Sequence, residues 1–104
     1  MDKEITKVIF KKLVGEVIAV FPEDIWGLTY DECSSYMHIG QHGAASVIGM
    51  KKLKNATPEE YKSLLTELQS IGYNLKVCKK FTSKMDFIRD SKVSHIEHKE
   101  IHGT

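Results

Sequence analysis

Apolar positions along this chain follow two rhythms. From Ile5 to Pro22, ITKVIFKKLVGEVIAVFP, β-branched and aromatic residues crowd two strand-length runs on either side of Val14-Gly15, and that predicts a β-hairpin. The second arm, Val17 to Phe21, is apolar on both faces, as a central strand is, and Pro22 is expected to end it. From Thr57 the rhythm changes. Tyr61, Leu64, Leu65, Leu68 and Ile71 recur on a 3.6-residue period, while Glu59, Lys62, Ser63, Glu67 and Ser70 cover the other side. Thr57, Pro58 and Glu60 compose a capping box with proline in the first turn, and Gly72 stops the helix. Tyr73, Leu75 and Val77 then alternate with Asn74, Lys76 and Cys78, the period of a half-buried strand.

The stretches between are less regular. Residues 23–32, EDIWGLTYDE, read as an acidic connecting loop carrying Ile25, Trp26 and Tyr30. Residues 33–39 predict a third strand, with Met37 and Ile39 on one face and Tyr36 and His38 on the other. Gly40 to Ser46 is small and polar enough for a flexible loop, and a lysine patch at Lys51, Lys52 and Lys54 precedes the helix. Beyond Phe81, Met85, Phe87, Ile88, Val93, Ile96 and Ile101 fit no single period, so residues 82–104 are expected to be a partly flexible extension with at most a short helix from Ser83. The fold class that results is α+β. It has a three- to four-stranded antiparallel or mixed sheet in the order β-β-β-α-β, one main helix on one face, and a single domain over residues 1–81. The simplest spatial strand order is 3-2-1-4.

Composition limits function more than fold. The 104 residues are 41% hydrophobic and 28% charged, ordinary for one globular domain, and no apolar run approaches the roughly 20 residues needed to span a bilayer. A soluble, cytoplasmic protein is expected, with no membrane association. Cys33 and Cys78 lack C-x-x-C spacing and are too few for a disulfide framework, so reduced thiols are expected, although a bridge between them is the alternative. The net charge of +1 hides segregation: residues 1–50 carry four Lys against seven acids, and residues 51–104 carry eleven Lys or Arg against seven acids. Such asymmetry bears on partners and steering.

The stretch richest in chemistry is YMHIGQHGAAS, residues 36–46. Tyr36, His38, Gln41, His42 and Ser46 put a candidate acid or base and several hydrogen-bonding groups beside glycines that let a ligand approach the backbone. A polar turn with solvated histidines accounts for the same residues. No zinc-type spacing occurs, so no metal and no cofactor are expected, and His95, His98 and His102 share a face only if the tail is helical. Phosphate-loop, dinucleotide-fold, nucleophile-elbow and H-E-x-x-H patterns are all missing from the sequence, which withdraws support from the enzyme classes they mark. Lys51, Lys52, Lys76 and Lys80 are the nucleic-acid candidates, Lys76 and Lys80 as one face of the last strand; with Arg89 the sole arginine, a solvated strand edge is the favoured account.

The hairpin VIFKKLVGEVIAVFP, the loop YMHIGQHGAAS and the unit ATPEEYKSLLTELQSIGYNLKV together resemble a group of short uncharacterised proteins of bacteria and their phages or mobile elements, over residues 8–80. The resemblance implies a bacterial or phage origin and brings no catalytic residue. The expected function is a small non-enzymatic binding domain for a protein partner, contacting it through Tyr36–Ser46 and the acidic loop at Trp26. Two alternatives are a small hydrolase or nuclease using His38 and His42, and nucleic-acid binding through Lys76 and Lys80.

Overall fold

The computed structural model describes residues 4–27, 29, 31–38 and 40–102, with described side chains ending at His95. Tyr30, Ile39 and the side chains of His98 and His102, all named above, lie outside the described residues. The elements are β1 (Thr6–Leu13), β2 (Glu16–Ile25), β3 (Glu32–Met37), β4 (Gln41–Ser46), α1 (Val47–Lys51), α2 (Pro58–Ile71), β5 (Leu75–Val77) and α3 (Ser83–His102). The fold is α+β, as expected. Among the described residues it has five strands rather than three or four, and three helices rather than one main one. The sheet runs β4-β3-β2-β1-β5, antiparallel except where β5 lies parallel to β1. That is the expected 3-2-1 order with the post-helix strand beside β1, and one extra strand beyond β3.

The first hairpin turns at Val14 (φ 43°) and Gly15 (φ 80°), both left-handed, as a two-residue hairpin connection with the right twist requires. Pro22 does not end β2. The pairing with β3 jumps from Phe21↔Ser34 to Ile25↔Cys33, so residues 22–24 form a bulge, and a proline without an N–H fits there because no ladder bond is asked of it. The far edge of β1 is covered along its length. Thr6 N–H donates to the Asn74 carbonyl at 2.8 Å and Cys78 N–H to the Val8 carbonyl at 2.8 Å. Further on, Ala56 N–H donates to the Phe10 carbonyl and Lys12 N–H to the Lys54 carbonyl, each at 2.9 Å.

Helix α2 begins as its sequence dictates. Thr57 Oγ1 accepts from Glu60 N–H at 3.3 Å and Glu60 Oε1 from Thr57 N–H at 2.8 Å, while Gly72 takes φ 124° at the other end. Leu64 and Leu68 bury completely against Val8, Phe10, Ala19, Phe21 and Tyr36; full burial of such a side chain contributes about 1.5–3 kcal/mol. Tyr61 stacks on Phe10 with ring centroids 4.3 Å apart. Ile71, expected on this stripe, is exposed at the helix end. On the opposite face Ile9, Ile18, Val20, Cys33, Ala45 and Val47 form a second buried cluster joined by Met50 and Phe81. Helix α3 packs on this side against β2, burying Met85, Arg89 and Val93. The result is three layers, which explains why β1 and β2 are apolar on both faces.

Candidate functional site

Residues 41–46, expected as a flexible loop, form the edge strand β4, paired with β3 at six positions from Met37↔Gln41 to Glu32↔Ser46. Gly, Ala and Ser have weak strand preference and show no apolar alternation, so pairing with β3 rather than propensity makes the strand. Gly40 (φ 72°) allows the short reversal after β3. Tyr36 stands opposite His42, and the two rings meet edge to face at 4.7 Å. The Tyr36 hydroxyl donates to Glu67 Oε2 on α2 and accepts from Gly40 N–H at 2.9 Å. Nδ1 of His38 sits 2.7 Å from Glu67 Oε1, and Nε2 of His42 lies 3.4 Å from the Tyr73 hydroxyl. One carboxylate therefore ties the β3 side of the reversal to the helix, and Gly40 N–H on the Tyr36 hydroxyl carries the brace across it.

Of the residues singled out from sequence, Tyr36, His38 and His42 are brought together, and three are not. Gln41, next to His42 in the strand, faces the other side of the sheet from it and meets His38 only along a groove at the turn. Ser46 caps α1, accepting from Gly49 N–H at 3.1 Å. Trp26 is half exposed at the other end of β2, just past the Ile25↔Cys33 pair. Two members are not apparent from the sequence pattern. The helical period puts Glu67 on the solvent side of α2, yet it stands three residues from Leu64 and borders the apolar stripe. Strand alternation accounts for Tyr73 by itself, whereas in the fold its ring stacks on Phe21 at 5.3 Å.

The hydrogen bond to Glu67, reinforced by burial, raises the Tyr36 phenol above its ordinary value near 10. Acid–base chemistry by the two histidines would need both at one concavity with a nucleophile. His38 borders a groove of about 450 Å³ with Gly15, Glu16, Val17, Met37 and Gln41; His42 does not line it, and the lining offers no hydroxyl or thiol. Cys33 is fully buried, and burial pushes its thiol up to about 11, so it is a poor nucleophile; Cys33 and Cys78 are both free. Among the described residues no three His, Cys, Asp or Glu side chains converge as metal ligands would. The network braces a turn.

The outer margin of β4 closes the sheet order, and no neighbouring strand covers it among the described residues. QHGAAS carries no formal charge with its histidine neutral, and Gln41, His42, Ala44 and Ser46 are exposed. Ile48, just beyond it in α1, is also exposed. The opposite edge is different: β5 is three residues long and carries Lys76, while Lys80 lies past it in the connection to α3. Lys51 and Lys52 reach that same margin at the end of α1, where Asn55 Nδ2 donates to the Lys79 carbonyl at 2.9 Å. Family models, curated proteins and solved structures return no match to this chain.

Proposed function

We propose that this chain is a small non-enzymatic binding domain that receives a strand from a protein partner along β4. The observation that carries this reading is an edge strand without Asp, Glu, Lys or Arg and mostly of small side chains, entered through a turn that the Glu67 bonds to Tyr36 and His38 brace. Edge strands that are not meant to pair are usually short, charged or interrupted by proline. β4 is none of these, and its glycine and alanines let another backbone approach closely. Strand addition draws affinity from main-chain hydrogen bonds and specificity from alternate side chains, here His42, Ala44 and Ser46 on one face. No helix among the described residues is long and apolar enough to cross a membrane. The two free thiols suit a reducing compartment, and we place the protein in the cytoplasm.

A photo-crosslinking residue at position 44, with one at position 62 on the outer side of α2 as control, tests the reading in an extract of the native host. The expected outcome is one protein crosslinked from position 44 only, and lost when Ser46→Pro, at a residue whose N–H points away from β3 and whose φ of −68° already suits proline, removes a donor from the outer edge. Equal labelling from both positions would sink it, as would turnover of a small substrate abolished by His38→Ala or His42→Ala in a variant that keeps its fold.

A further inference from the structure

The connections α1–α2 and β5–α3 are remote in sequence but meet beside β1. Lys11 pairs with Asn55 across a single bridge, Asn55 donates to the Lys79 carbonyl at 2.9 Å, and Lys51 Nζ lies 3.9 Å from Asp86 Oδ2 in the first turn of α3. This gathers Lys51, Lys52, Lys54, Lys79, Lys80 and Lys84, all of them exposed. Almost nothing nearby offsets them. The sequence holds no Asp or Glu between Glu32 and Glu59, and none between Glu67 and Asp86. Two of the flanking acids are engaged, Asp86 with Arg89 as well as Lys51, and Glu60 with Lys12 at 2.8 Å, which leaves exposed Glu59 beside six lysines. The three-residue edge strand already carries Lys76, so six further lysines beside it exceed what blunting that edge requires.

We infer that this margin binds the phosphate backbone of single-stranded nucleic acid without sequence preference. The lysines lie along two connections and the helix ends beside them, outside the groove that His38 borders, so they suit an extended polyanion better than a small anion. Lysine is a point charge, and the one arginine is buried, so the forked contacts that read base edges are missing from the surface. Phe87, 69% exposed and one helical turn beyond Lys84, offers a face on which an unpaired base can stack. This surface is on the opposite side of the sheet order from β4 and does not depend on the strand-addition reading.

Fluorescence anisotropy of the full chain with labelled oligo(dT), longer than the roughly 4–16 nucleotides of a typical site, tests it. With four to six phosphates neutralised, affinity is expected to fall roughly 50- to 300-fold between about 50 and 200 mM salt. The triple variant Lys52→Glu, Lys79→Glu, Lys80→Glu should weaken binding more than tenfold, and Phe87→Ala several-fold, while Lys62→Glu on α2 changes nothing; circular dichroism checks that each variant is folded. The inference is overturned by salt-insensitive or absent binding, by duplex bound as tightly as single strand, or by equal retention of polyglutamate or anionic phospholipid vesicles.

Discussion

Arg89 shows how one side chain can hide a helix from its own sequence. It is 1% exposed, donates to the Pro22 carbonyl in the β2 bulge and pairs with Asp86. Met85, Arg89 and Val93 stand four residues apart on the buried stripe of α3, and the middle position is charged, so the apolar period looked broken. Arg89→Ala leaves a cavity and an unsatisfied carbonyl and should cost about 3–5 kcal/mol in urea unfolding; Arg89→Met, which keeps the volume, should cost less. Val14 is a second case. A β-branched residue at φ 43° and 96% exposed is strained without any packing in return, so Val14→Asn is expected to stabilise the hairpin by about 0.5–1 kcal/mol. Cys33 supplies a pH dependence. Its thiol ionises near 9 when unfolded and near 11 when folded, so its contribution is complete below pH 9 and is lost as pH climbs towards 11. Against Cys33→Ala, the wild type should show about 2–3 kcal/mol of additional alkaline loss in denaturant titrations.

At the scale of elements, what was legible followed from strong local signals. The capping box, the stripe and the glycine stop specify α2 from Pro58 to Ile71, and the Val14-Gly15 break specifies the first hairpin. β4 was illegible because nothing in QHGAAS prefers a strand; its conformation comes from a neighbour. The candidate site was half legible for a related reason: Tyr36, His38 and His42 lie close in sequence, whereas Glu67 and Tyr73 arrive from α2 and its exit through tertiary packing. Glu60 links the cap to pH. The hydrogen bond from Lys12 and those at Thr57 hold its carboxyl near 2 against an ordinary value near 4.5, so the cap's support is present above about 4.5 and lost as pH falls through 2. Glu60→Gln should flatten that acid limb, and Thr57→Ala should cost about 1 kcal/mol at neutral pH.

For the whole molecule, α3 decides whether the second face of the sheet is a core or a surface. Ending the chain at Thr82 would bare Ile18, Val20 and their neighbours, and the truncated protein is expected to bind a hydrophobic dye and self-associate. Unaltered solubility and no dye binding would show that α1 alone covers that face. The charge asymmetry of the sequence also survives folding in part. Six exposed lysines collect at the β1–β5 margin, whereas Glu23, Asp24, Asp31 and Glu32 stand where β2 ends and β3 begins, with Lys92 reaching Glu23 and Asp24 there.

The covering of β1 by residues 54–56 and by β5 has a consequence for growth. A sheet with two live margins can add strands at both and run on into a fibre. Here one margin is occupied along β1 and ends in a three-residue strand ringed by lysines, leaving β4 as the place where pairing can begin. Assembly through β4 would then terminate after one addition per chain, giving complexes of fixed stoichiometry.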